Sequence, residues 1–138
     1  MYRELIEPYK QTALRNLTMA EVLLNARFQE GAAFHVYHSY ESIICAALLK
    51  RQPYNMPPLA HSTKLKGFLN VFAKDTLLVV ESVKLSHTLL NMRDRVLYPE
   101  LRGGIGITPS AAVPARQVQK HLSLVKQFVN LIVTQLGL

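Results

Sequence analysis

Residues 31–49, with the sequence GAAFHVYHSYESIICAALL, carry the clearest helical pattern of the chain. Packing side chains recur at spacings of three and four residues, which is the signature of an α-helix. One stripe contains Ala33, Val36, Tyr37, Tyr40, Ile43, Ile44, Ala47 and Leu48, and a second contains Phe34, His38, Glu41 and Cys45. Two stripes predict a central helix over residues 30–51 with neighbours on both sides.

Four further segments show the same spacing, so about five helices are expected in all. The first covers residues 8–27, or begins near Tyr2 and bends at Pro8. The others run from Ser62 or Thr63 to Phe72, from Asp75 or Thr76 to just before Pro99, and over residues 114–136. Ser62 or Thr63 and Asp75 are the expected N-caps. Helices joined by short loops predict an all-α, antiparallel up-and-down bundle that forms a single domain over residues 1–138.

The side chains on the last two long helices predict which faces are buried. On the fourth helix Val79, Val83, Ser86, Leu90, Arg93 and Leu97 share one side. On the fifth the shared side carries Val118, Leu122, Val125, Val129, Ile132 and Leu136. We expect both faces to point into the core.

Two segments interrupt the helical pattern. Prolines 53, 57 and 58 predict a loop over residues 52–60. Residues 101–112 contain Gly103, Gly104 and Gly106 but lack the spacing of a phosphate-binding loop, so a plain linker is expected. No segment alternates with period two for long enough to predict a strand.

Composition limits the class of protein. The chain has 138 residues, of which 49% are hydrophobic and 18% charged, as in an ordinary globular domain. It contains no apolar run long enough to span a membrane, and its N-terminus does not resemble a secretory signal. Together with the lone Cys45 this favours the cytoplasm. The net charge of +7 favours a polyanionic partner, although a generic solvated surface is the alternative.

The histidines and the single cysteine do not predict a metal site or a nucleophile. The five histidines are dispersed and form no ligand motif, so neither a metal nor a cofactor is expected. Cys45 lies in an apolar run, where a thiol usually packs as a small hydrophobic group.

Arg93 is the most informative charged residue. It falls on the apolar side of the fourth helix, where a guanidinium normally meets a carboxylate or a ligand. Glu41, in the middle of the central helix, is the preferred partner, and the neighbouring Asp94 is the alternative.

These residues resemble the HEPN superfamily (higher eukaryotes and prokaryotes nucleotide-binding). Residues 31–49 resemble its helix with a Tyr-x-x-x-Glu core and a closing Ala-Leu-Leu, and residues 61–69 resemble the start of its next helix. Arg93 and Asp94 stand where that family has its Arg-x(4–6)-His signature, with Tyr98 in place of the histidine.

The resemblance implies a dimer in which both Arg motifs line one cleft. Many HEPN proteins are metal-independent ribonucleases of toxin–antitoxin and RNA-processing systems, and others are non-catalytic partners of a nucleotidyltransferase. By this resemblance Arg93 would bind a phosphate, and Asp94 would assist. A free phenol titrates at about 10, so a tyrosine in place of the histidine is a poor base at neutral pH.

Three functions follow as hypotheses. The first is a non-catalytic RNA- or nucleotide-binding module, a homodimer with a basic cleft around Arg93, Arg95, Tyr98 and Arg102, beside Glu41. The second is an active ribonuclease that uses Arg93, Asp94 and Tyr98, with His38 or His61 brought near by the fold. The third is a structural scaffold in which Glu41 fully neutralises Arg93.

Overall fold

The computed structural model describes residues 1–138, of which 76% are helical. The helices are α1 (Ile6–Asn25), α2 (Gln29–Arg51), α3 (His61–Val71), α4 (Thr76–Leu97), α5 (Pro109–Ala112) and α6 (Ala115–Leu136), preceded by a 3-10 turn at Arg3–Leu5. Strands β1 (Glu100–Arg102) and β2 (Ile105–Ile107) form one antiparallel hairpin. The all-α expectation is thus confirmed at the level of helix content. The up-and-down order and the HEPN likeness stay predictions.

Helix α2 lies at the centre of the core. Every residue from Ser39 to Leu49 is buried, and the helix contacts α1, α3, α4 and α6. A buried polar group is costly unless it is hydrogen-bonded. Two such groups on α2 therefore tie it to its neighbours: Ser39 Oγ donates to the Ala13 carbonyl at 2.8 Å, and Tyr40 Oη donates to the Ser82 carbonyl at 3.1 Å.

The helix ends test the predicted caps. Asp75 caps α4, because its carboxylate accepts the Leu78 N–H at 3.3 Å. The predicted Ser62 or Thr63 cap is wrong, since α3 begins at His61 and its N-cap is Ala60, which has no polar side chain. Pro8 lies in the first turn of α1, where its missing N–H costs nothing.

The buried face of α4 differs from the expected one. Val83, Leu90 and Leu97 are exposed. The buried residues of α4 are Leu78, Ser82, Leu85, Ser86, Leu89, Met92 and Val96. Helix α4 carries two apolar stripes at helical spacing, and packing against α2 and α6 selects between them. The predicted face of α6 is confirmed from Val118 to Ile132, while Leu136 at its end is only partly buried.

The expected linker after α4 is wrong, because it folds into the hairpin and α5. Gly103 and Gly104 adopt φ of 55° and 81° between the two strands. Positive φ at both central residues is what a tight two-residue hairpin turn requires. Strands of three residues are too short to show an alternating pattern. No helix in the structure combines the length and apolar character needed to cross a bilayer.

Substitution in α2 tests its central position. Ile43→Ala removes a fully buried side chain, so it should lower the free energy of unfolding by about 2–5 kcal/mol. Val22→Ala, at an exposed position of α1, should change it by less than about 0.5 kcal/mol. Urea denaturation measures both, and equal small losses would contradict a core built around α2.

Candidate functional site

The ring of Tyr37 on α2 lies at the centre of a polar cluster. The guanidinium carbon of Arg93 lies 5.9 Å from the ring centroid, within cation–π range. The imidazole of His61 lies edge-on with its centroid 5.6 Å away. Arg93 of α4 and His61 of α3 thus contact the same buried ring. We call Tyr37, Glu41, His61, Lys64 and Arg93 the Tyr37 cluster.

Glu41 is the only acid in this cluster, and it is buried. Its Oε1 accepts a hydrogen bond from Tyr37 Oη at 3.2 Å and contacts His61 Nδ1. Lys64 Nζ lies 3.6 Å from the same oxygen. His61 and Lys64 are three residues apart in the first turns of α3, so they share a helix face. A buried carboxylate needs such partners, and here they join α2 to α3.

Arg93 does not form the expected ion pair with Glu41. Its nearest carboxylate is Asp94, with 3.5 Å between Nη1 and Oδ1, and the Asp94 side chain is 80% exposed. The physical reason is that His61 and Lys64 of α3 already occupy the Glu41 carboxylate. Arg93 is therefore half-buried against Tyr37, with only a long, solvent-screened contact to an acid.

The other predicted site residues lie elsewhere. Arg95 and Arg102 share Glu100: Arg95 Nε lies 3.9 Å from its carboxylate, and Arg102 contacts it directly. Two residues correspond to about 200° around a helix, so Arg93 and Arg95 leave α4 on nearly opposite sides. Tyr98, just beyond the end of α4, is exposed. Glu41 and Arg93 thus belong to the Tyr37 cluster, whereas Arg95 and Arg102 surround Glu100, and we call these three residues the Glu100 cluster.

Burial sets the protonation states around the cluster. Burial, reinforced by Glu41, raises the pKa of Tyr37 well above its usual value, so the phenol stays neutral and donates to Glu41. Burial raises the pKa of Tyr40 to about 12 and lowers that of His38, which favours neutral imidazole. Burial also raises the pKa of the Cys45 thiol to about 11, which makes it a poor nucleophile.

The space within the cluster is nearly filled. The gap between Tyr37, Glu41, His61 and Lys64 has a volume of only about 10 Å³. That is barely room for one water molecule. A ligand would therefore lie across the surface, against the exposed parts of Arg93, His61 and Lys64. Such a surface suits an extended chain better than an enclosed mononucleotide.

Sequence patterns identified part of this cluster. Arg93 and Glu41 were both expected at a site, but the contributions of Tyr37 and Lys64 were missed. The spacing of His61 and Lys64 places both on one face of α3, yet only the tertiary packing of α3 on α2 directs that face to Glu41.

No group of three or more His, Cys, Asp or Glu side chains is placed to hold a metal ion. Comparison of the chain with protein-family models, with curated proteins and with solved structures found no match.

Substitution of Glu41 tests whether it organises the cluster. Glu41→Gln keeps the shape but removes the charge shared by His61 and Lys64, so we expect a loss of about 1–3 kcal/mol in unfolding free energy. The control is Glu81→Gln on α4, whose surface pair with Lys84 at 3.1 Å should contribute less than about 1 kcal/mol. Urea denaturation measures both; an unchanged stability of Glu41→Gln would contradict this role.

Proposed function

We propose that the protein is a HEPN-like, non-catalytic RNA-binding module that acts as a homodimer. The observation that carries the proposal is the placement of Arg93, which is half-buried on Tyr37 with no direct pair to Glu41. Its planar donor fork lies near the ring and has only the long contact to Asp94, so it is available to a phosphate. A scaffold that used Glu41 to neutralise Arg93 would lack this feature.

Charge balance supports a polyanionic ligand. His61 and Lys64 contact the buried carboxylate of Glu41, and Arg93 lies over the neighbouring Tyr37 ring, so the cluster carries more basic groups than acidic ones. The whole chain has a net charge of +7. Basic side chains on a surface attract a phosphate backbone and release its counterions. The gap within the Tyr37 cluster is too small for a nucleotide, which favours a strand of RNA that lies across the surface.

Tyr98 supports the non-catalytic form of the proposal. It is exposed and stands where the HEPN resemblance expects a histidine, so it can stack on a base. A phenol is poorly suited to proton transfer at neutral pH. By the same resemblance, the natural context is a toxin–antitoxin pair or a nucleotidyltransferase partner.

A ribonuclease is the second candidate, and one observation favours it. His61 and Arg93 contact the same Tyr37 ring, and Glu41 orients the His61 imidazole. An imidazole oriented by a carboxylate is a common arrangement for acid–base catalysis. In this form α3 would supply the histidine that α4 lacks.

RNA binding by variants separates these functions. Arg93→Ala should weaken binding of a fluorescein-labelled, mixed-sequence single-stranded RNA and reduce the salt slope by about 1, because one phosphate contact is lost. Arg93→Lys should recover only part of the affinity, since it keeps the charge but not the planar fork. Fluorescence anisotropy at several salt concentrations measures both.

Arg15→Ala is the matched control, because Arg15 is an exposed arginine on α1. It should bind RNA almost as the unaltered protein does. Equal affinities of Arg93→Ala and Arg15→Ala would contradict the proposed site. Gel analysis of the same samples in EDTA should show intact RNA, whereas cleavage that is lost in His61→Ala would replace the non-catalytic proposal with the ribonuclease.

A further inference from the structure

The segment around the hairpin exposes several large apolar side chains. Leu97, Tyr98, Leu101 and Ile105 are all exposed, and Leu101 is 78% exposed. The hairpin is a two-stranded sheet, so the outer edge of β1 has no strand beside it. Unpaired edges with apolar side chains readily pair with another strand.

The register identifies which backbone groups are free on β1. Arg102 pairs with Ile105 across the two-residue turn, and Glu100 pairs with Ile107. The pair that flanks such a turn is hydrogen-bonded, and bonded and non-bonded pairs alternate along the strands. The N–H and C=O of Leu101 therefore point away from β2, towards the free edge.

We propose that β1 pairs with β1 of a second copy, antiparallel and centred on Leu101. Leu101 would exchange two backbone hydrogen bonds with Leu101 of the partner subunit. Glu100 would then lie opposite Arg102 of the partner subunit, and Arg102 opposite Glu100 of the partner subunit. These flanking positions are the non-hydrogen-bonded ones, where cross-strand side chains are closest.

The order of charges along β1 indicates that the strand pairing with its free edge comes from a second copy of the chain. Glu100, Leu101 and Arg102 form a sequence that complements itself when it is reversed, as a twofold axis requires. Parallel pairing in register would instead place like charges opposite each other. Three strand residues bury too little surface for a stable dimer by themselves. Leu97 and Tyr98, which precede β1 in the chain, are exposed and would supply additional apolar area.

This inference rests on the proposed function for the existence of a homodimer, and it states where the copies meet. Arg95 and Arg102 contact Glu100, at the edge that pairs. The twofold axis would therefore bring two Glu100 clusters together. It would place Arg95 and Arg102 of both copies near the axis, apart from Arg93, which leaves α4 on nearly the opposite side from Arg95.

Charge reversal provides the test, with sedimentation velocity as the measurement. Glu100→Arg places arginines opposite each other in a homodimer, and Arg102→Glu places glutamates opposite each other. Each variant alone should dimerise about tenfold more weakly than the unaltered chain. An equimolar mixture of the two should regain the dimer, because both arginines of the first variant then lie opposite the glutamates of the second.

The double variant Glu100→Arg with Arg102→Glu is the control for local folding. It restores opposite charges between positions 100 and 102, within one hairpin and across the axis, but loses the 3.9 Å contact between Arg95 and Glu100, so it should dimerise more tightly than either single variant. A monomeric unaltered chain, single variants that dimerise normally, or a mixture that does not recover would each overturn the inference. Anisotropy with the labelled RNA, measured on Arg93→Ala in parallel, separates failure of this interface from failure of the proposed RNA binding.

Discussion

The buried carboxylate of Glu41 is the constraint on which the candidate site depends. A charge in the core must be paired, and the partners of Glu41 are the Tyr37 hydroxyl on its own helix and His61 and Lys64 on α3. These contacts hold α3 against α2 and fix the orientation of the Tyr37 ring. The ring in turn supports Arg93. One interior charge therefore determines how basic groups from α3 and α4 are presented at the surface.

The sequence patterns predicted the helices better than their faces. The pattern of α2 was enough to predict its buried residues, because most of the helix is buried and both stripes therefore face neighbouring elements. Helix α4 offers two stripes one residue apart, and only its neighbours distinguish Leu89, which is buried, from Leu90, which is exposed. The hairpin was missed because Gly103 and Gly104 turn the chain between strands of three residues, which are too short to alternate visibly.

The site was predictable where a residue was unusual for its position. Arg93 on an apolar stripe indicated a partner or a ligand, and Glu41 on α2 indicated a buried charge. Their direct pairing was the wrong inference, because helical spacing does not show which third element approaches. Because His61 and Lys64 of α3 pair with the Glu41 carboxylate, the guanidinium of Arg93 does not pair with it and can bind a ligand. That outcome underlies both the proposed RNA binding and the separation of the Tyr37 cluster from the Glu100 cluster.

Nuclear magnetic resonance of the arginine side chains during titration with single-stranded RNA tests the central claim most directly. The Nε–H resonance of Arg93, assigned by comparison with Arg93→Lys, reports on the guanidinium that lies over Tyr37. The account predicts that this resonance shifts early and strongly, together with the ring protons of His61. A titration in which other arginines shift while Arg93 and His61 stay unchanged would contradict it.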